Sequence, residues 1–483
     1  MKTCFAKICI LFALAGYAYC AQVPSFKKQS IEVPVEAAGW IWPYFKDIDD
    51  DGLPELLVLS HMAQRLFVYD GNERGFASIA NQVIELPEGT AWFAVRDVSK
   101  SPGLELLISM ADGLAYYYRK NGIFVEQPQV LLEAEQVFTA ETRPNILDYK
   151  KYAETLGNAV PVIFGDRCVL YERDDDFQFE PAETISLRLA RSIDRYVPNS
   201  WSLGSSESAT IRITTKAGCK SKDAEEQARP AENEYIEGKL EEWSQDGHWF
   251  GHGTERKDIN GDGSDDVVLW HIVGELNPRT TILVFIANKG RLPDKPAQIL
   301  RCRGFPVEAD YQGGRLSLLK DIDNDGMLDI VLAEPKIKSF SAGTLIETVI
   351  SHGVDFTVAL RLHRGSAGYS NKPDFRLDVT TMIPLFRWAP DLIDFPADFN
   401  ADGRPDITVR RRPSEIDVYL SSAGSDLYQT EPQLTLEAPP DWDDMQAKDL
   451  NGDGISDIYL IEYEKCRLTL LLSMPPNGTG AAK

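Results

Sequence analysis

Oxygen-bearing side chains recur at alternate positions in five nine-residue stretches, each with a glycine at its sixth place and an acid at its ninth. The first stretch carries Asp47, Asp49, Asp51, Gly52 and Glu55. The second carries Asp258, Asn260, Asp262, Gly263 and Asp266, and the third Asp321, Asp323, Asp325, Gly326 and Asp329. The fourth carries Asp398, Asn400, Asp402, Gly403 and Asp406, and the last Asp449, Asn451, Asp453, Gly454 and Asp457. Alternate oxygens at this density suit a hard cation taking about 6–8 oxygen ligands, calcium before magnesium. The glycine allows a sharp turn at positive φ, which would bring the seventh residue's carbonyl onto the ion. Those seventh residues are Leu53, Ser264, Met327, Arg404 and Ile455. About five calcium sites are expected.

The flanking residues decide which kind of loop this is. An EF-hand opens in the same way but requires a glutamate at the twelfth position and helices on both sides. The twelfth positions here are Val58, Leu269, Leu332, Val409 and Leu460, none of which can ligate. Short apolar runs follow the loops at 56–59, 267–270 and 330–332, and their length and branched content predict buried strands. Each loop should therefore join two strands.

The same order recurs around every loop. An aromatic-bearing strand precedes it, as at 42–45 or 92–93. The apolar strand follows, then an alternating strand (66–69, 115–118, 282–285, 418–420) and a fourth strand near a proline (128–131, 432–436). With these residues in view, the chain resembles the FG-GAP and VCBS repeats of integrin α-subunit-like β-propellers. The literal Phe-Gly and Gly-Ala-Pro signature is poorly preserved. Nothing resembles the inserted domain or legs of an integrin, so integrin-type ligand binding does not carry over.

The expected fold is all-β: a seven-bladed β-propeller of four-stranded antiparallel blades with calcium loops between first and second strands. Two further repeats are degenerate. The stretch 97–105 keeps the spacing, loses charge and shifts its glycine, so a weak or empty site is expected; around Asp148 the strands persist without ligands. An eighth blade within 189–247 is the alternative count. The last repeat lacks a fourth strand, and the spare strand at 30–35 is expected to complete it, hiding two sheet edges.

Residues 1–20 read as an export signal: Lys2 and Lys7 precede an apolar run, with small residues following. The propeller would then occupy 21–476, with a disordered tail at 477–483. No later segment approaches the ~18 apolar residues of a membrane span. An exported location, whether extracellular, cell-surface or periplasmic, suits calcium sites of modest affinity. It also suits the net charge of −24, since the five loops hold 19 carboxylates; nucleic acid is not an expected partner. Among the cysteines beyond the leader, Cys168 and Cys466 fall in non-neighbouring repeats and read as thiols, and Cys219 with Cys302 is the pairing that remains open.

Two long insertions, 189–247 and 334–355, leave the face opposite the calcium loops, where a partner, protein or glycan, is expected to bind. Arg410, Arg411 and Arg412 should lie in a turn on that face and could engage a carboxylate or sulfate, or pair with acids such as Glu415. Trp270 and His271 occupy the corresponding turn of another repeat, as ligand contacts or as packing. Residues 220–245 are charged and read as a mobile segment or exposed helix. No nucleophile elbow, paired-histidine zinc motif or phosphate loop is present, so no catalytic residues are assigned. The expected function is a binding or adhesion module with structural calcium. The alternatives are a polysaccharide-active enzyme, because some carbohydrate lyases are similar calcium propellers, or a structural part of a surface assembly.

Overall fold

A computed structural model describes residues 23–34, 41–60, 64–88, 90, 92–110, 112–134, 159–164, 167–174, 176–186, 234–244, 252–274, 277–288, 291–310, 315–336, 353–381, 393–422 and 427–474. Alternating and all-apolar runs of about six residues form strands throughout. Among the described residues they assemble into seven antiparallel sheets of three or more strands and three small two-stranded hairpins, so the fold is all-β and consistent with a β-propeller type.

The first sheet orders Ile41–Lys46, Glu55–Ser60, Arg65–Tyr69 and Gln82–Glu85. The second orders Trp92–Arg96, Glu105–Met110, Gly113–Tyr117 and Gln129–Glu133. The third shows Val160–Phe164, Arg167–Arg173 and Phe179–Ser186; the region around Asp148 lies outside the described residues. The fourth holds His252–Lys257, Asp266–Val273, Arg279–Phe285 and Gln298–Arg303. In the fifth, Leu319–Lys320 and Phe305–Pro306 both pair with Asp329–Pro335, which continues to Val354–Arg361 and Phe375–Thr381. The sixth holds Ile393–Asp394, Ile407–Arg412, Glu415–Tyr419 and Leu434–Glu437.

The seventh sheet is assembled from both ends of the chain. Asp444–Lys448, Asp457–Glu462 and Arg467–Met474 are completed by Ser25–Glu32, with Ser25 opposite Met474 and Ile31 opposite Leu468. The N-terminal strand thus starts earlier than the 30–35 expected, because its register follows the full length of Arg467–Met474. The proposed leader and the tail lie outside the described residues.

Second strands such as Glu55–Ser60 are buried on both faces, because each sheet is covered by a neighbour. Ile31, Leu470 and Leu472 of the seventh sheet share a core with Phe45 and Val58 of the first. Leu57 and Leu66 of the first pack with Ile108 and Tyr117 of the second, and Trp92 of the second with Val160 and Val162 of the third. One continuous core joins the fourth, fifth and sixth sheets, and another joins the sixth to the seventh.

Polar straps repeat across these junctions. A glutamine on an outer strand holds the main chain of an aromatic residue in the next repeat. Gln82 Nε2 donates to the Phe124 carbonyl at 2.7 Å while Oε1 accepts the Phe124 N–H at 2.8 Å. Gln298 holds Tyr369 and Gln29 holds Phe76 in the same way. The lysine preceding a loop reaches across as well: Lys448 Nζ donates to the Phe45 carbonyl at 3.1 Å, and Lys257 Nζ to Ser317 Oγ at 3.2 Å.

One junction departs from the pattern. Helix α1 (Glu234–Ser244) lies on the face of the fourth sheet formed by Val267, Leu269, Leu283 and Phe285. Tyr235, Ile236 and Trp243 share one side of the helix, and Trp243 is buried, stacking on His271 with centroids 5.0 Å apart. This part of the charged 220–245 segment is therefore docked rather than exposed. The segment's few apolar residues fall at helical spacing and meet an apolar sheet face. Among the described residues no helix is long and apolar enough to cross a membrane.

Candidate functional site

Every candidate loop joins the first and second strands of its sheet, with strands on both sides. Its shape comes from two left-handed residues. The glycine at position six has positive φ, from 82° at Gly454 to 90° at Gly52. Position four is left-handed too: Asp50, Gly261, Asn324, Ala401 and Gly452. Asp, Asn and Gly tolerate that conformation best, and their enrichment at position four was a readable signal for the turn.

The carboxylates organise the turn around these residues. The first-position acid accepts the glycine N–H at 2.6–3.0 Å, from Gly403 to Asp398 at the short end and from Gly52 to Asp47 at the long end. The fifth-position acid accepts the seventh-position N–H at 2.8–2.9 Å in all five loops.

The ninth-position acids are the most buried members. Glu55, Asp266, Asp329, Asp406 and Asp457 are 0–2% exposed. One oxygen of each accepts the second-position N–H, from Ile48, Ile259, Ile322, Phe399 or Leu450, at 2.6–3.0 Å. In the four aspartates the other oxygen accepts an N–H at the end of the third strand, from Ala287, His363 or Ser421 just beyond it or from Ser473 within its last residues, at 2.5–2.8 Å. The ninth acid thus ties three strand ends together, a structural role beyond ligation. Burial pushes the carboxyls of Glu55, Asp329 and Asp406 up to about 7 and that of Asp457 to about 6, and raises Asp266 as well. Holding them ionised calls for nearby positive charge.

The loops differ in how that charge is met. Among the described residues, two sets of acids bring one oxygen each within 4.8 Å of one another: Asp47, Asp49 and Glu55, and Asp321, Asp323 and Asp325. In the second set Oδ1 of Asp323 is buried without a hydrogen-bond partner. Burial, then the charges of Asp325 and Asp321, raise its pKa. A lone carboxylate oxygen buried among acids is costly unless a cation completes it, so these residues fit a hard divalent ion.

In the last two loops a serine joins in. Ser421 Oγ donates to Asp402 at 2.9 Å and its carbonyl accepts from Asn400 Nδ2 at 3.0 Å. Ser473 Oγ donates to Asp457 at 2.8 Å and its carbonyl accepts from Asn451 Nδ2 at 2.9 Å. These serines close the third strand, a place the loop pattern does not reach. In the first loop, Arg119 from the second repeat approaches Asp49, which the sequence offers no local means of seeing.

The arginine run does not form one exposed cluster. Arg410 lies within a strand, is buried, and stacks its guanidinium 3.7 Å over Trp442. Arg411 faces Asp417 at 3.9 Å and Arg412 pairs with Glu415 at 3.2 Å. The three residues occupy Ile407–Arg412 itself rather than the following turn, and an irregular register between Arg410 and Arg412 separates them. Trp270 is buried in the core between the fourth and fifth sheets, and His271 is buried under Trp243. Cys302 and Cys466 are buried thiols outside any disulfide, Cys466 Sγ donating to the Tyr463 carbonyl, and Cys219 lies outside the described residues. A cavity of about 640 Å³ opens on the loop side between the seventh, first and second sheets, lined by Lys46, Asp47, Asp50, Asp97, Lys448 and Asp449.

Comparison with protein families decides the name of this unit. Residues 398–460 match the FG-GAP-like repeat. The FG-GAP-like segment contains two of the three loops with asparagine at the third position, 398–406 and 449–457, and the strands between them. The same strand–loop–strand arrangement surrounds the other loops. Among solved structures, the chain is similar to an Agrocybe aegerita lectin that specifically recognises non-reducing terminal N-acetylglucosamine. The identity is 11% and the TM-score 0.35, over 92% of this chain and 97% of the lectin.

Proposed function

We propose that this chain is an exported β-propeller of seven blades, stabilised by calcium in its FG-GAP-like loops, that acts as a binding or adhesion module for a protein or glycan. The orphaned, buried Oδ1 of Asp323 beside Asp321 and Asp325 carries the calcium part of this reading. Each ion would tie two strands together and neutralise carboxylates that otherwise repel. The shared cores running from the fourth sheet through the seventh to the first, second and third support a ring. So does the N-terminal strand within the seventh sheet, which removes two exposed edges.

The binding part rests on the face opposite the loops. The turns between second and third strands lie there, and the insertions at 189–247 and 334–355 depart from it. Arg411 and Arg412 stay exposed at the end of their strand, 47% and 62% by side chain, and could exchange their acidic partners for a ligand's carboxylate or sulfate.

The test combines thermal melting with glycan-array binding of the mature protein, each in calcium and in chelator. A calcium-dependent rise in Tm is expected, together with binding that survives Asp323→Ala and is lost when Arg411 and Arg412 are both changed to Ala. Identical melting curves with and without calcium would sink the structural-calcium role. Silence on every glycan, with the calcium shift intact, would leave a protein as the partner.

A further inference from the structure

Arg119 lies in a small separate hairpin, Arg119–Lys120 with Ile123–Phe124, between the third and fourth strands of the second sheet, yet its guanidinium lies in the first sheet's loop. Nη1 stands 3.3 Å from Oδ2 of Asp49 and 4.0 Å from Oε2 of Glu55. The side chain is 9% exposed. Asp49 and Glu55 are two of the three acids whose oxygens gather within 4.8 Å, the third being Asp47.

Three constraints hold the arginine in place. Nε and Nη2 both donate to the Gly122 carbonyl, at 3.0 and 2.6 Å, which aims Nη1 outward. Asn121 and Gly122, at φ 55° and 82°, form the tight turn that brings this carbonyl round. The far arm of the hairpin is clamped to the first sheet by Gln82 on Phe124. The charge is therefore delivered by a fixed device, and not by a solvated side chain that happens to pass nearby.

We infer that Arg119 supplies to the first loop the positive charge that a divalent ion supplies to the others, so that this loop takes no calcium in the wild-type protein. A cation seated among Asp47, Asp49 and Glu55 would face the guanidinium of Arg119 at close range and be repelled by it. It would also compete for the Asp49 oxygen with which Arg119 is already ion-paired. The loop at 321–329 provides the contrast: among the described residues no cation stands within ion-pair distance of Asp323, and Arg404 acts on it only at longer range. This inference rests on the proposal that the other FG-GAP-like loops bind calcium.

Calcium titration by isothermal calorimetry decides it, using the mature protein in wild-type, Asp49→Ala, Arg119→Gln and doubly substituted forms. Asp49→Ala should leave the wild-type stoichiometry unchanged. Arg119→Gln should add one equivalent of calcium, and Asp49→Ala in that background should remove it again. Loss of one equivalent from the wild type on Asp49→Ala would overturn the inference, as would a folded Arg119→Gln protein with no added equivalent. If Arg119→Gln does not fold, the Asp49→Ala comparison decides alone. A wild type that binds no calcium beside an Arg119→Gln form that binds one would refute the reading of the other loops and keep this one. No binding by either form would refute both.

Discussion

The loops at 321–329 and 97–105 share their spacing, their flanking strands and a buried acid at the ninth position. In both, the eighth residue also donates its N–H to the loop of the preceding sheet, Leu328 to Ile259 and Leu104 to Ile48, each at 2.9 Å. They differ in what fills the middle. Ser99 donates to Glu105 at 2.5 Å and accepts from the Ser101 N–H at 3.0 Å, while Arg173 pairs with Asp97 at 3.0 Å. In the other loop the charges of Asp325 and Asp321 outweigh that of Arg404 at Asp323, and one of its oxygens has no hydrogen-bond partner. A hydroxyl brings its own proton and a carboxylate does not. The same turn is thus satisfied by protein side chains in the second sheet, whereas in the fifth the proposed calcium would complete it.

The largest expected effect removes what the two loops share. Asp329→Ala would strand the buried N–H groups of Ile322 and His363, and Glu105→Ala would strand that of Val98 together with the Ser99 hydroxyl. Each should cost about 2–4 kcal/mol in chemical denaturation, from the desolvation penalty of unmade hydrogen bonds. Glu105→Ala should cost the same with or without calcium. A calcium-sensitive Glu105→Ala would show that the second loop holds an ion after all.

Asp323→Asn separates the two loops by sign. In calcium it should destabilise by about 1–3 kcal/mol, as a lost charged ligand. In chelator it should be neutral or stabilising, because it removes a charge from a cluster of like charges. Destabilisation of equal size in both conditions would remove the ion from the explanation.

Glycine substitutions give a smaller contrast. Gly326 and Gly103 both have φ 84°, so alanine costs about 1–2 kcal/mol at either from backbone conformation alone. A Cβ at Gly326 meets nothing within 4 Å, whereas one at Gly103 meets the Ile48 carbonyl at 2.8 Å. Gly103→Ala should therefore lower Tm more than Gly326→Ala, and the reverse order would contradict the packing between the first two loops. The smallest effect belongs to Ser99→Ala, about 1 kcal/mol for a net hydrogen-bond loss and unaltered by chelator. A chelator-dependent loss at Ser99 would erase the distinction between the loops.

Much of this architecture is legible along the chain. The nine-residue spacing, read against Val58, Leu269 and the other apolar twelfth positions, excludes helices and places each loop between two strands, as found. The missing fourth strand of the last repeat pointed to an N-terminal strand, and Ser25–Glu32 fills that position. The arginine run was less readable. A run of like charges suggests a solvated turn, but the bulge between Arg410 and Arg412 turns one side chain onto Trp442 and leaves two outside. Helix α1 hid because its apolar residues are sparse, and their value depends on an apolar sheet face more than twenty residues away in sequence.

By itself the sequence determines the turn. Left-handed residues at positions four and six, and oxygens at one, three, five and nine, act within a single loop, where chain geometry leaves few alternatives. Tertiary structure decides how each loop is neutralised. The partners come from elsewhere: Arg119 from the next repeat, Ser421 and Ser473 from the ends of third strands, and none for Asp323 Oδ1. Charge acts through space, and only the packing of sheets sets which distant side chain lies within a few ångströms of a buried carboxylate.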